Sequence, residues 1–124
     1  MTLRFEIFPS DLDATADFYT RVLRFEVTAD RRDDPVPYMA FRRDAVHVGA
    51  ARSADGGYSP ERRPPVGVEL VLEVDDIDTE LELARMSGWS IDEEVQDRPW
   101  GLRDFRLIDP SGYYLRVTNR KTVA

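Results

Sequence analysis

Apolar and polar residues alternate from Leu3 to Phe8, with Phe5 and Ile7 on one face and Arg4, Glu6 and Phe8 on the other. This predicts a half-buried strand whose second face is unusually charged. Pro9 ends the run, and Ser10 or Asp11 can cap a helix with Asp13 in its acidic first turn. Leu12, Thr15 or Ala16, Tyr19, and Val22 with Leu23 then recur at helical spacing. A strand is expected over Phe25–Thr28, then a polar turn with two prolines over Asp30–Pro37. A hairpin of Tyr38–Arg42 and Ala45–Ala51 turns around Arg43-Asp44.

The stretch Arg52–Pro65, "RSADGGYSPERRPP", has two glycines, three prolines and no periodicity, and reads as a linker between halves. Its aromatic residue, Tyr58, can either fold over a pocket or stay in solvent. Beyond it the order repeats. Val68, Leu70, Leu72 and Val74 share one face of a strand, and Glu69, Val71 and Glu73 share the other. "DDIDTELELARMSG" reads as a capped helix ending at Gly88, a good left-handed terminator, with Trp89 just beyond it assigned to the core. Strands follow near Ser90–Val95, Leu102–Ile108 and Tyr113–Thr118. Asp11-Leu12-Asp13 matches Asp76-Ile77-Asp78, each after an alternating strand. Each half therefore reads strand–helix–strand–strand–strand. Neither half buries its helix-facing stripe alone, so the two belong to one domain, with module one over about residues 1–52 and module two over about 66–120. The expected fold is α+β: two tandem βαβββ modules forming a curved, mostly antiparallel sheet with helices outside and a groove on the other face.

Composition narrows the class. A chain of 124 residues with 42% hydrophobic and 10% aromatic content is ordinary for a globular domain. No apolar stretch approaches the ~18 residues of a transmembrane helix, and the first residues are already strand-like, so no membrane association and a cytoplasmic location are expected. The absence of cysteine removes disulfides, thiolate zinc sites and cysteine nucleophiles. With 24 acidic against 17 basic residues, net −7, the surface repels nucleic acid, although such a charge also serves solubility alone. Lys121 is the one lysine, so the basic set is almost all arginine, suited to fixed planar contacts. No serine–histidine–acid arrangement can be argued, and Gly56-Gly57 is a flexible turn.

Three stretches resemble the vicinal oxygen chelate superfamily, the glyoxalase/bleomycin-resistance/dioxygenase fold: "FPSDLDATADFYTRVLRFEV", "VLEVDDID" and "PWGLRDFRLIDPSGYYLRV". The last, with "MAFRRDAVHVGAA", is similar to the bleomycin-resistance branch. Where the family helix commonly ends Leu-Gly-Phe, this chain has Leu23-Arg24-Phe25. Metal-using members place ligands at four strand positions, which the resemblance carries onto Arg4, His47, Glu69 and Arg116. Arginine is cationic at all usable pH and has no lone pair to give. The resemblance with these substitutions implies no metal and no cofactor.

Two accounts of Arg4, His47, Glu69 and Arg116 stay open. The arginines can form ion pairs with Glu69, Glu6 or Glu73 across the groove, replacing a metal as links between modules. Alternatively the groups stay partly free and bind a polar ligand. His47 on its own is either a packing histidine or a catalytic base, and it is also a candidate ligand contact. Trp100, between Pro99 and Gly101, is a candidate for stacking on a flat or cationic ligand at a pocket rim, or else seals a dimer or barrel end. Phe8, Tyr38, Phe41 and Tyr114 are candidates for an aromatic lining. The leading expectation is a non-catalytic protein that sequesters a small cationic or aromatic molecule. Glu6, Glu69 and Glu73 would meet its charge, and two chains would pair as a homodimer, as the resemblance implies. The alternatives are a superfamily enzyme (lyase, isomerase or dioxygenase) with an atypical or absent metal site, and a structural dimer module with a vestigial groove.

Overall fold

The computed structural model describes residues 1–52 and 67–120. All of the predicted linker except Arg52, and with it Tyr58, lies outside the described residues. The chain divides into two compact units, Met1–Pro64 and Pro65–Ala124. Each is one βαβββ module.

Module one comprises β1 (Phe5–Ile7), α1 (Leu12–Asp17), β2 (Glu26–Arg31), β3 (Tyr38–Arg43) and β4 (Val46–Ala51). Its sheet order is β1-β4-β3-β2. β1 runs parallel to β4, and the other two pairings are antiparallel. Asp11, not Ser10, caps α1, its carboxylate accepting from the Ala14 amide at 3.0 Å. α1 continues into one π-helical turn, Phe18–Val22, in which the Leu23 amide donates to the Phe18 carbonyl at 3.2 Å. Phe18, Tyr19, Val22 and Leu23 are all buried there, together with Thr15 rather than Ala16. Phe18, three residues after Thr15 and four before Val22, joins the inward stripe beside Tyr19. β2 runs further than predicted: Asp30 pairs with Met39 and Arg31 with Tyr38, so the turn begins only after Arg31.

Arg24 takes the place of the cap glycine and adopts φ 58°, the left-handed region. The Phe25 amide then closes onto the Tyr19 carbonyl at 2.7 Å, as a Schellman-type helix end requires. An L-residue is held there at a cost of roughly 1–2 kcal/mol. Arg24→Gly is therefore expected to raise stability by about 0.5–1 kcal/mol, since glycine relieves the strain but loses more entropy on folding. Urea denaturation measures it, and a stability loss in the glycine variant would count against strain at this position.

Module two repeats the plan with β5 (Leu70–Val74), α2 (Ile77–Met86), β6 (Glu93–Asp97), β7 (Arg103–Ile108) and β8 (Tyr114–Asn119), in order β5-β8-β7-β6. β5 is parallel to β8, matching β1 and β4. Asp76 caps α2 as Asp11 caps α1, accepting from the Thr79 amide at 3.1 Å. Ile77, Leu81 and Ala84 of α2 are buried, as are Phe105, Leu107, Leu115 and Val117 of the sheet. β6 starts three residues later than predicted. Trp89 is half-buried rather than fully enclosed, and its indole N–H donates to the Ile108 carbonyl at 3.0 Å.

Two hairpin loops of module two share one construction. In the first, Arg98 and Leu102 bracket Pro99-Trp100-Gly101; in the second, Asp109 and Tyr113 bracket Pro110-Ser111-Gly112. The glycine amide donates back to the Arg98 or Asp109 carbonyl at 3.0 Å in both. Gly101 at φ 89° and Gly112 at φ 92° supply the left-handed residue that a three-residue hairpin loop needs, and proline presets the first position. Buried Asp109 also accepts from the Ser111 and Tyr113 amides, each at 2.9 Å, which fixes the start of β8.

Candidate functional site

Alternation on β8 sends Leu115 and Val117 toward α2, so Tyr114, Arg116 and Thr118 face the other way. Register extends that face across the sheet. Val71, Arg116, Arg106 and Glu93 form one row, and Glu73, Thr118, Asp104 and Gln96 form the next. The helix-free face of module two therefore carries acids and arginines close together, with Arg106 and Arg116 as direct neighbours.

These charges connect. Glu69 receives two guanidiniums, Arg106 Nε at 3.2 Å on one oxygen and Arg116 Nε at 3.2 Å on the other. The Arg116 contact is an ion pair without an aligned hydrogen bond at Nε. Arg106 reaches on to Glu93 at 3.0 Å, and Glu93 also meets Arg98 at 2.5 Å. Arg98 in turn holds Asp104 through Nη2 at 2.8 Å and Nε at 3.0 Å. The chain Arg116–Glu69–Arg106–Glu93–Arg98–Asp104 thus spans the sheet. Hydrogen bonding to Arg98, against some desolvation, holds the Glu93 carboxyl below the usual carboxylate range. Burial is the largest single influence on Arg106 and pushes it down, but the hydrogen bond to Glu69 together with the charges of Glu69, Glu93 and Asp104 raises it on balance.

Tyr114 lies at the edge of this cluster. Its hydroxyl donates to Asp92 at 2.9 Å, and the Arg106 guanidinium sits 5.9 Å from its ring centre. Burial, and then that bond to Asp92, raise the phenol. Glu73 is exposed on the same face and has no partner among the described residues. Trp100 stands at the tip of the β6–β7 hairpin, 59% exposed.

In module one, β1 alternation and the β1–β4 register put Glu6 and Gly49 side by side. Arg4 pairs with Glu6 at 2.8 Å. The Glu6 carboxylate lies over Gly49, where a Cβ would meet its oxygens at 2.4 and 2.5 Å. His47, two residues earlier on β4, shares that face and is exposed, paired in register with Arg42. Tyr38 and Phe8 are half-buried.

Phe41 corrects the expected aromatic lining. It is 1% exposed and stacked on Tyr19 at 5.7 Å, on the helix-facing side of β3. Tyr38, three residues away along the strand, belongs to the opposite face, so the two cannot line one surface. The ion pairs expected to link the modules are found within them: Arg4–Glu6 in module one, and Arg116–Glu69 in module two.

Arg98, Asp104, Arg106 and Glu93 were not singled out from sequence as site residues. The signal was present in "RDFRL", where the residues before and after Phe105 must share the face of Arg116 once Phe105 points inward. The β6 bulge between Glu93 and Gln96 hides the corresponding alternation on that strand.

The residues at the positions onto which the family resemblance carries metal ligands do not suit a divalent cation in their chemistry. Glu69 is taken by two guanidiniums, and Arg116 offers only donors. Among the described residues of either module, no three His, Asp or Glu side chains converge.

Solved structures with this fold include TioX from Micromonospora sp. ML1, 21% identical with TM-score 0.78, covering 98% of this chain and 99% of that one. TnmS3 from Streptomyces sp. CB03234, described as an antibiotic binding protein, is 18% identical with TM-score 0.71 over 98% and 96% of the two chains. The lactoylglutathione lyase of Agrobacterium tumefaciens is 19% identical with TM-score 0.71 over 96% and 92%. A sequence comparison with curated proteins found no match. The family profile described as Glyoxalase/Bleomycin resistance protein/Dioxygenase superfamily matches residues 3–117. With that match over nearly its whole length, and with two βαβββ modules, the chain belongs to the glyoxalase/bleomycin resistance protein/dioxygenase superfamily.

Proposed function

We propose that this protein binds and sequesters a small cationic or aromatic molecule, without a metal or cofactor and without catalysis. The observation that carries the reading is Glu69, whose two oxygens are each held by an arginine where metal-using relatives carry ligands. What the chain offers instead is a presented indole, Trp100, and acids such as unpartnered Glu73 and the Arg4-held Glu6. Indole faces stack on flat or cationic groups, and carboxylates meet ammonium or guanidinium charge. Arg4 and Arg116 hold acids in place, while Tyr38, Phe8, His47 and Tyr114 supply further contacts. The antibiotic-binding description of TnmS3 supports this choice among the functions the fold hosts.

A homodimer in the cytoplasm is part of the same reading, with no role for nucleic acid or membrane. The acidic balance, net −7, favours cationic partners over nucleic acid. Among the described residues no helix is long and apolar enough to cross a membrane.

Calorimetric titration with cationic aromatic antibiotics, bleomycin among them, tests the reading. Trp100→Ala is expected to weaken binding at least ~10-fold, about 1.4 kcal/mol, while Trp89→Ala retains it. The reverse pattern sinks the assignment. Stoichiometric Fe, Mn, Ni or Zn in the purified protein would overturn the metal-free part in favour of an enzyme.

A further inference from the structure

Asp104 is the most completely enclosed acid of module two, with its side chain 0% exposed. One of its oxygens takes both Arg98 contacts, Nε at 3.0 Å and Nη2 at 2.8 Å, and the other has no hydrogen-bond partner. Burying a carboxylate this fully is costly unless a charge opposes it, and Arg98 is that charge.

Arg98 is also the first residue of the Trp100 turn. Its amide donates to the Leu102 carbonyl at 2.7 Å, and its carbonyl accepts from the Gly101 amide at 3.0 Å. Its guanidinium reaches Gln96 at 3.1 Å and Glu93 at 2.5 Å as well as Asp104, so it is fastened to both strands of the hairpin. Only 17% of the Arg98 side chain is exposed, against 59% for Trp100 two residues on. The backbone that aims the indole is thus closed by a residue whose side chain is fixed beneath it.

We propose that Asp104 is a positioning residue for Trp100, acting through Arg98: it locks the Pro99-Trp100-Gly101 turn in one orientation and so pre-orders the indole. The significance of this for ligand capture rests on the binding reading above. A rigid indole is recognised by a flat cation with less ordering cost than a mobile one. The partnerless oxygen fits this role, since Asp104 is placed for one guanidinium and not for a full set of donors.

The test uses ¹⁵N relaxation of the Trp100 backbone and indole N–H in the full chain without ligand, with Trp89 as internal reference. In the parent protein both Trp100 probes are expected near the rigid limit, with an order parameter of about 0.85. In Asp104→Leu and Arg98→Met they are expected to fall below about 0.6 while the Trp89 values hold. Asp104→Asn keeps the oxygen that Arg98 uses and is expected to retain most of the order, which separates lost positioning from general loosening. Arg98→Met carries the test on its own if Asp104→Leu prevents folding. Because the two groups act as one unit, the double variant should be no more mobile than either single one. Unchanged Trp100 order in both single variants would overturn the proposal, as would an equal drop at Trp89. Bleomycin affinity, measured alongside, is expected to fall ~10-fold in Asp104→Leu. If the order falls and affinity does not, the binding reading fails and the clamp stands.

Discussion

Phe41→Ala is expected to cost about 3–5 kcal/mol, the largest single-residue loss in module one. Phe41 is buried and stacked on Tyr19, which itself meets Phe18 edge-on at 5.1 Å and Phe25 at 5.7 Å. Truncation opens a cavity in the middle of this aromatic group, and neighbours held by a π-helical turn have little freedom to collapse into it. Small domains have only about 5–15 kcal/mol in total, so the urea midpoint should fall by a large fraction. Tyr38→Ala, on the opposite face of the same strand, should cost about 1 kcal/mol or less. Comparable losses at the two positions would show that Phe41 does not belong to the core.

Glu69→Ala is the second large effect, expected at about 2–3 kcal/mol. It leaves Arg106 and Arg116 directly opposite each other on neighbouring antiparallel strands with no carboxylate between them. Breaking a fully buried pair costs roughly 3–5 kcal/mol. Here the side chains are 17%, 25% and 27% exposed for Arg106, Arg116 and Glu69, so solvent screening reduces the figure. The companion double variant Glu69→Ala/Arg116→Leu should recover about 1 kcal/mol, because it removes the stranded cation as well. Strict additivity of the two changes, measured by chemical denaturation, would mean the three charges do not act together. The same network gives an acid limb to stability. Glu93, held below its ordinary pKa by Arg98 and then Arg106, contributes fully above the ordinary carboxylate range. That contribution is lost as pH falls through its depressed folded-state value.

Much of this was legible in the chain because each module is built from local rules. The Asp11 and Asp76 caps, the strand alternation and the Pro-X-Gly turns each specify their element without reference to distant residues. The π-helical turn was not legible, since it depends on how Phe18 and Tyr19 both pack inward, a tertiary demand. Phe41 is hidden for a related reason: aromatic character alone suggests a lining, whereas its position on β3 two residues from buried Met39 assigns it to the buried face. Site chemistry was half legible. Arg116 and Glu69 could be found by counting from the repeat, but the second arginine on Glu69, Arg106, depends on strand register, which sequence spacing alone does not set.

The paired Pro-X-Gly loops have a consequence for how this molecule can change. Proline and glycine preset the local backbone of both turns, and the middle position holds tryptophan in one and serine in the other. The backbone therefore places no demand on that side chain, and exchanging it leaves the scaffold intact. Residue 100 is a free coordinate of the molecule, one at which a fluorophore, a different aromatic ring or a charge can be installed to retune what the hairpin meets.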